Sequence, residues 1–112
     1  MQRQALLIGI VFIVLASGCT QQPLADADDK VNVAIAACRT TCAQALAQHR
    51  DLSAGPCLLD PVSEHPEWVC DVAHDPREAV DNDPANQCAS YRSGASKNFV
   101  EVAPDCELIR GG

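Results

Sequence analysis

Hydrophobic positions follow three patterns along this chain. Residues 5–16, ALLIGIVFIVLA, are an apolar run broken by no charge. That run is shorter than the ~20 residues a membrane-spanning helix needs, and no later stretch is apolar enough to span. Beyond residue 28 the spacing becomes helical. Val31, Ala34, Ile35, Cys38, Cys42, Ala45, Leu46 and His49 recur at steps of three and four and share one face. Asp28 and Asp29 stand where a helix N-terminus favours negative charge, and His49 and Arg50 stand at the opposite end. The spacing predicts a helix over Asp29–His49.

The third pattern is alternation. Leu52-Ser53-Ala54-Gly55-Pro56 reads as a turn, and Asp60-Pro61 and His65-Pro66 continue a loop. From Trp68 to His74 the chain alternates, with Trp68, Cys70 and Val72 on one face of a strand. Asp83-Pro84 reads as an N-cap followed by proline at the first helical position. It opens a short helix, Pro84–Arg92, that ends near Gly94 and turns Cys88 inward. Asn98–Val102 and Cys106–Arg110 flank Ala103-Pro104-Asp105 as a hairpin. The predicted fold class is α+β. One long N-terminal helix lies on a small antiparallel sheet, with a second short helix, in a single domain over residues 28–112. Trp68 and Tyr91 are expected in its core, because small domains spend their few aromatics there.

The chain has seven cysteines, which cannot all pair internally. Cys19 differs from the other six in its surroundings. It follows a basic start, Met1-Gln2-Arg3-Gln4, then the apolar run, then Leu15-Ala16-Ser17-Gly18. This arrangement resembles the lipobox signal of prokaryotic lipoproteins, with Ala16 standing where that family usually has leucine. The resemblance implies a signal peptide over residues 1–18 and a diacyl thioether on Cys19. Two acyl chains hold a protein stably at a membrane where one would hold it reversibly. Residues 19–27 then form a polar, proline-containing tether.

Cys38, Cys42, Cys57, Cys70, Cys88 and Cys106 remain, an even set. In an exported domain this small, six thiols read as three disulfides, each adding ~2–4 kcal/mol of stability. Fifteen pairings are possible, and the sequence selects none. Cys38 and Cys42 lie one helical turn apart and face the core, so each is expected to reach a different downstream segment.

Charge narrows the partners. All fifteen acidic residues follow Cys19, against seven Lys/Arg there, a net charge of −8. Nucleic acid demands a basic patch, so it is excluded as a partner. The most polar stretch holds Asp71, His74, Asp75, Glu78, Asp81 and Asp83. It reads as a solvated acidic loop. The competing readings are a weak calcium or zinc contact, or acid–base chemistry by His74 with Asp71 or Asp75. No nucleophile motif, His-Glu-x-x-His or complete EF-hand loop accompanies it. No catalytic residue, metal ligand or cofactor is therefore assigned. His65 is expected in an exposed loop, and His49 against the helix dipole.

Residues 38–110 resemble a group of small, six-cysteine exported prokaryotic proteins, mainly archaeal and uncharacterised. The stretches that carry this are Asp51–Cys57, Trp68–His74, Asp81–Cys88 and Phe99–Val102. The resemblance implies a class and no activity. The expected function is non-enzymatic: a lipid-anchored interaction or envelope accessory domain on the cell surface or in the periplasm. Its partners are the membrane, through Cys19, and a protein of unspecified kind. The alternative is a thiol-redox or metal-handling lipoprotein that uses Cys38 and Cys42.

Overall fold

A computed structural model describes residues 26–112, together with Gly9 and Ile13. The expected signal peptide, the lipidated Cys19 and most of the tether lie outside the described residues. The described chain is α+β, as expected. Helix α1 (Asp26–Ala47) is followed by strands β1 (Cys57–Leu59) and β2 (Trp68–Val72). Two 3-10 turns, Ala79–Asn82 and Pro84–Asn86, precede the short helix α2 (Ala89–Ser93). Strands β3 (Asn98–Val102) and β4 (Leu108–Gly111) close the chain. Helix α1 begins at Asp26, so the last two residues assigned to the tether are helical.

The sheet corrects the expectation of an antiparallel one. Its order is β1-β2-β3-β4. The outer pairs are antiparallel, but the central pair β2·β3 is parallel. A parallel pair needs a crossover, and residues 73–97 supply it. Strand β1 was expected as turn and loop; three residues without alternation leave no period to detect.

Helix α1 packs across one face of the sheet, the front. Ala34, Cys38, Cys42 and Ala45 are buried on its inner stripe, at the predicted three- and four-residue spacing. They meet Trp68, Cys70 and Val72 of β2 and Val100 and Val102 of β3. The stripe is made of small side chains, so the helix comes close enough for disulfides. Cys38 bonds Cys70 and Cys42 bonds Cys106, which ties the helix to β2 and to the β3–β4 turn. Gly111 sits under the same helix, where an added Cβ would lie 3.3 Å from Val31.

The helix ends by backbone geometry. His49 takes φ +59°, and its N–H donates to Leu46 O, while Arg50 N–H donates to Ala45 O. This pair of bonds is the Schellman closure, with histidine where glycine is usual. No basic residue lies in the last helical turn. The expected short helix is also remodelled. Asp83 does cap, accepting from Ala85 N–H at 3.0 Å, but what it caps is a 3-10 turn. The α-helical part starts only after Cys88 and stops at Gly94, whose φ of +82° closes it.

Candidate functional site

The back face of the sheet carries the polar chemistry. Strand register sets one residue from each strand side by side: Cys57 opposite Asp71, Asp71 opposite Glu101, Glu101 opposite Arg110. Side chains at paired positions share a face. The row therefore runs disulfide sulfur, carboxyl, carboxylate, guanidinium. Val69 and Phe99 form the neighbouring row. The crossover folds over this face, and the third disulfide, Cys57–Cys88, fastens it there. Between sheet and crossover lies a groove of about 540 Å³. Arg77, Gln87, Tyr91 and Arg92 of the crossover complete its walls, together with Arg110 of β4.

Two acidic groups form the floor. Glu101 has a side chain only 10% exposed, with Arg77 Nη1 3.4 Å from Oε1 and Arg110 Nε 3.0 Å from Oε2. Glu101 Oε2 is buried, and the Arg110 guanidinium is its charged partner. Asp71 is half-buried, and its Oδ1 has no partner. Burial, and then the charge of Glu101, push the Asp71 carboxyl up to about 7, against the pull of Arg77. Near neutral pH the Asp71 carboxyl is thus partly protonated and can donate as well as accept. Tyr91 and Phe99 meet edge to face, with ring centroids 5.2 Å apart, at one wall.

The crossover is held in place by a second polar cluster. Asp81 is 3% exposed and accepts from the backbone N–H groups of His74 and Glu78 at 3.0 and 2.9 Å. His74 Nδ1 lies 2.9 Å from Asp81 Oδ1, and Nε2 lies 2.9 Å from Glu78 Oε2. Burial alone would raise the Asp81 carboxyl. The Glu78 N–H, the His74 ring and the His74 N–H outweigh it and hold the group below its ordinary value. Arg77 Nη2 and Gln87 Nε2 both donate to Asp81 O, at 3.0 Å each. Gly55, at φ +69°, lets Asp81 come this close, since a Cβ there would lie 2.7 Å from Asp81 Oδ1 and 2.9 Å from Val72 O.

The structure divides the stretch 71–83 that the sequence groups together. Asp71 belongs to the groove. His74, Glu78 and Asp81 form the clamp, and Asp75 and Asp83 are exposed. The solvated-loop expectation is therefore wrong for Asp81, whose short polar side chain is buried because backbone donors surround it. Nor does His74 pair with Asp71 or Asp75. Both its ring nitrogens are occupied by Asp81 and Glu78. Tyr91 is another correction: at 44% exposure it lines the groove instead of the core, while Trp68 is buried as expected.

Cys38 and Cys42 reach different segments, as their spacing implies, and all six cysteines are paired. As folded, they offer no dithiol pair and no thiolate pair. The sulfurs of Cys57 and Cys88 and a carboxylate oxygen of Asp60 all lie within 4.8 Å of one another. Those sulfurs are bonded to each other, so this trio is not a metal site. Asp60 instead accepts the N–H of Ser90 at the start of α2.

Glu101, Arg77, Gln87, Arg92 and Arg110 were not singled out from the sequence. One signal pointed to Glu101: in Asn98–Val102 it is the charged position alternating between two buried valines. No helix among the described residues is long and apolar enough to cross a membrane. Comparison with protein-family models, with curated proteins and with solved structures yields no match.

Proposed function

We propose that this chain is a lipid-anchored, extracytoplasmic binding domain that holds a ligand in the back-face groove without transforming it. One observation carries the reading. Asp71 lines an open groove, and its buried Oδ1 has neither a hydrogen-bond nor an ion-pair partner. Buried polar groups are almost always satisfied, so an unpartnered carboxyl beside a cavity suits a ligand that brings a polar group to it. The groove is also rigid, because the disulfide Cys57–Cys88 and the Asp81 clamp fix its lid.

Location is supported separately. Leu15-Ala16-Ser17-Gly18-Cys19 resembles a lipobox, and three disulfides suit an oxidising compartment outside the cytoplasm. The resemblance to small six-cysteine exported proteins agrees with that setting. Against catalysis stands the engagement of both His74 nitrogens, together with a groove lining that holds no serine, threonine or free thiol. The thiol-redox or metal-handling alternative has less support, since Cys38 and Cys42 are committed to separate bonds.

The test places a photoreactive residue at Tyr91 in the groove, or at exposed Arg39 on α1, in cells of the source organism. Fractionation runs alongside, on the unsubstituted chain and on Cys19→Ser. The expected result is an adduct from position 91 alone, with the native chain in the membrane fraction and Cys19→Ser released. Equal or absent adducts at the two positions overturn the groove reading. An unlipidated native chain in the soluble fraction overturns the anchor.

A further inference from the structure

We propose that the groove takes a small organic anion, an acid group carried on a flat apolar body. The acid group meets the Arg92 and Arg110 guanidinium groups, and the body packs beside Tyr91. This rests on the binding reading above and names the ligand class.

Cations are scarce in this chain and gather here. Of the seven Lys/Arg after Cys19, three line the groove: Arg77, Arg92 and Arg110. Against Glu101 and a partly protonated Asp71, they leave the groove a net charge between +1 and +2. The chain after Cys19 carries −8, so the groove is a local exception. The three arginines differ in how far they are engaged. Arg77 is held by Asn82 Oδ1, Asp81 O and Glu101, and contributes chiefly its charge. Arg110 gives Nε to Glu101, and its side chain is 56% exposed. Its Nη groups form no hydrogen bond among the described residues. Arg92 is exposed and forms no side-chain hydrogen bond or ion pair among the described residues. An open guanidinium matches the oxygens of a carboxylate or phosphate in both charge and shape. A cation would be repelled by the same side chains, and a neutral ligand gains nothing from their charge. Asp71 has no need to touch the ligand: its protonated form removes a negative charge that would oppose the anion.

The wall sets the rest of the ligand. Tyr91 and Phe99 meet edge to face there, Tyr91 is exposed, and Val69 belongs to the same lining. This apolar surface suits a flat ring. A volume of about 540 Å³ lies inside the ~300–1,000 Å³ range of small-molecule sites, and is more than an inorganic anion fills.

The test is a titration at low salt followed by backbone amide NMR. It uses the exported, disulfide-intact chain carrying Cys19→Ser to keep it in solution. Benzoate and phenyl phosphate are the acid probes. Benzyl alcohol and benzylammonium keep the ring and change the charge; inorganic phosphate keeps the charge and removes the ring. At least one acid probe is expected to shift the signals of Tyr91, Arg92 and Phe99 saturably, and to bind more tightly than all three comparators. Arg92→Gln, at an exposed side chain with no partner to lose, is expected to weaken that binding about 3- to 10-fold. Tyr91→Ala is expected to weaken it about 3-fold. Arg39→Gln, exposed on α1, is expected to leave it unchanged. Binding of any comparator in the groove as tight as that of the better acid overturns the proposal. So does failure of both acids, or acid binding unaffected by Arg92→Gln or by Tyr91→Ala, or weakened as much by Arg39→Gln as by Arg92→Gln. Failure of both acids with the position-91 adduct intact removes the ligand class and leaves the binding reading in place.

Discussion

Asp71→Asn isolates the most perturbed titratable group among the described residues. In the unfolded chain Asp71 ionises near its ordinary value of 3.8, and in the folded chain near 7. Between those values the folded chain holds a proton that the unfolded chain has lost. Folding stability therefore declines as pH rises from about 4 to about 7, and levels off above. A gap of about three pH units corresponds to a ceiling of about 4 kcal/mol. Water at the groove mouth screens part of this, leaving about 2 kcal/mol. The groups facing Asp71 are Glu101 from β3, Arg77 and Asp81 from the crossover and Arg110 from β4. All persist in the variant, so their own titrations largely cancel in the comparison. Asparagine keeps the shape and cannot ionise. The expected outcome is that Asp71→Asn gains about 2 kcal/mol relative to the parent chain between pH 4 and pH 8. Urea denaturation under non-reducing conditions at four pH values across that range measures it. The reasoning is refuted if the difference between the two proteins is the same at every pH. It is equally refuted if the Asp71 carboxyl carbon titrates near 3.8.

Two further outcomes follow from the clamp and the staples. Gly55→Ala forces a Cβ to 2.7 Å from Asp81 Oδ1 at a backbone angle that disfavours side chains, and is expected to cost about 2–4 kcal/mol; a urea midpoint unchanged from the parent would contradict the role given to the clamp. Replacing both Cys42 and Cys106 by alanine opens the bond of sequence separation 64, and replacing Cys38 and Cys70 opens the one of separation 32. Losses of about 4 kcal/mol are expected for each, slightly larger for the longer loop, as read from denaturant midpoints.

The parts of the fold that were legible are those with a period. Helix α1 announced itself because Ala34, Cys38, Cys42 and Ala45 repeat at helical steps and face one neighbour. Strand β2 did so through Trp68, Cys70 and Val72. Where the chain lacks a period the sequence was silent, as at Cys57–Leu59, or misleading, as at Pro84–Arg92, where a 3-10 turn and a helical turn replace one helix. The hairpin expected around Ala103–Asp105 formed, but β4 starts at Leu108 because Cys106 turns the chain at φ +72° to reach Cys42.

By itself the sequence determined the class of the domain, the even set of six thiols and the inward face of the helix. Each of these follows from local spacing or from counting. Tertiary structure decided what depends on strands meeting across long separations. The parallel pairing of β2 with β3 sets Asp71 beside Glu101, thirty positions away, and so makes a groove floor from residues with no sequence motif in common. The same folding takes Asp81 from an acidic run and buries it among backbone donors. It takes Tyr91 from the expected core and sets it at the groove. A carboxylate's role is fixed by its neighbours in space, through desolvation, hydrogen bonds and nearby charge, and those neighbours are what the linear order of this chain does not state.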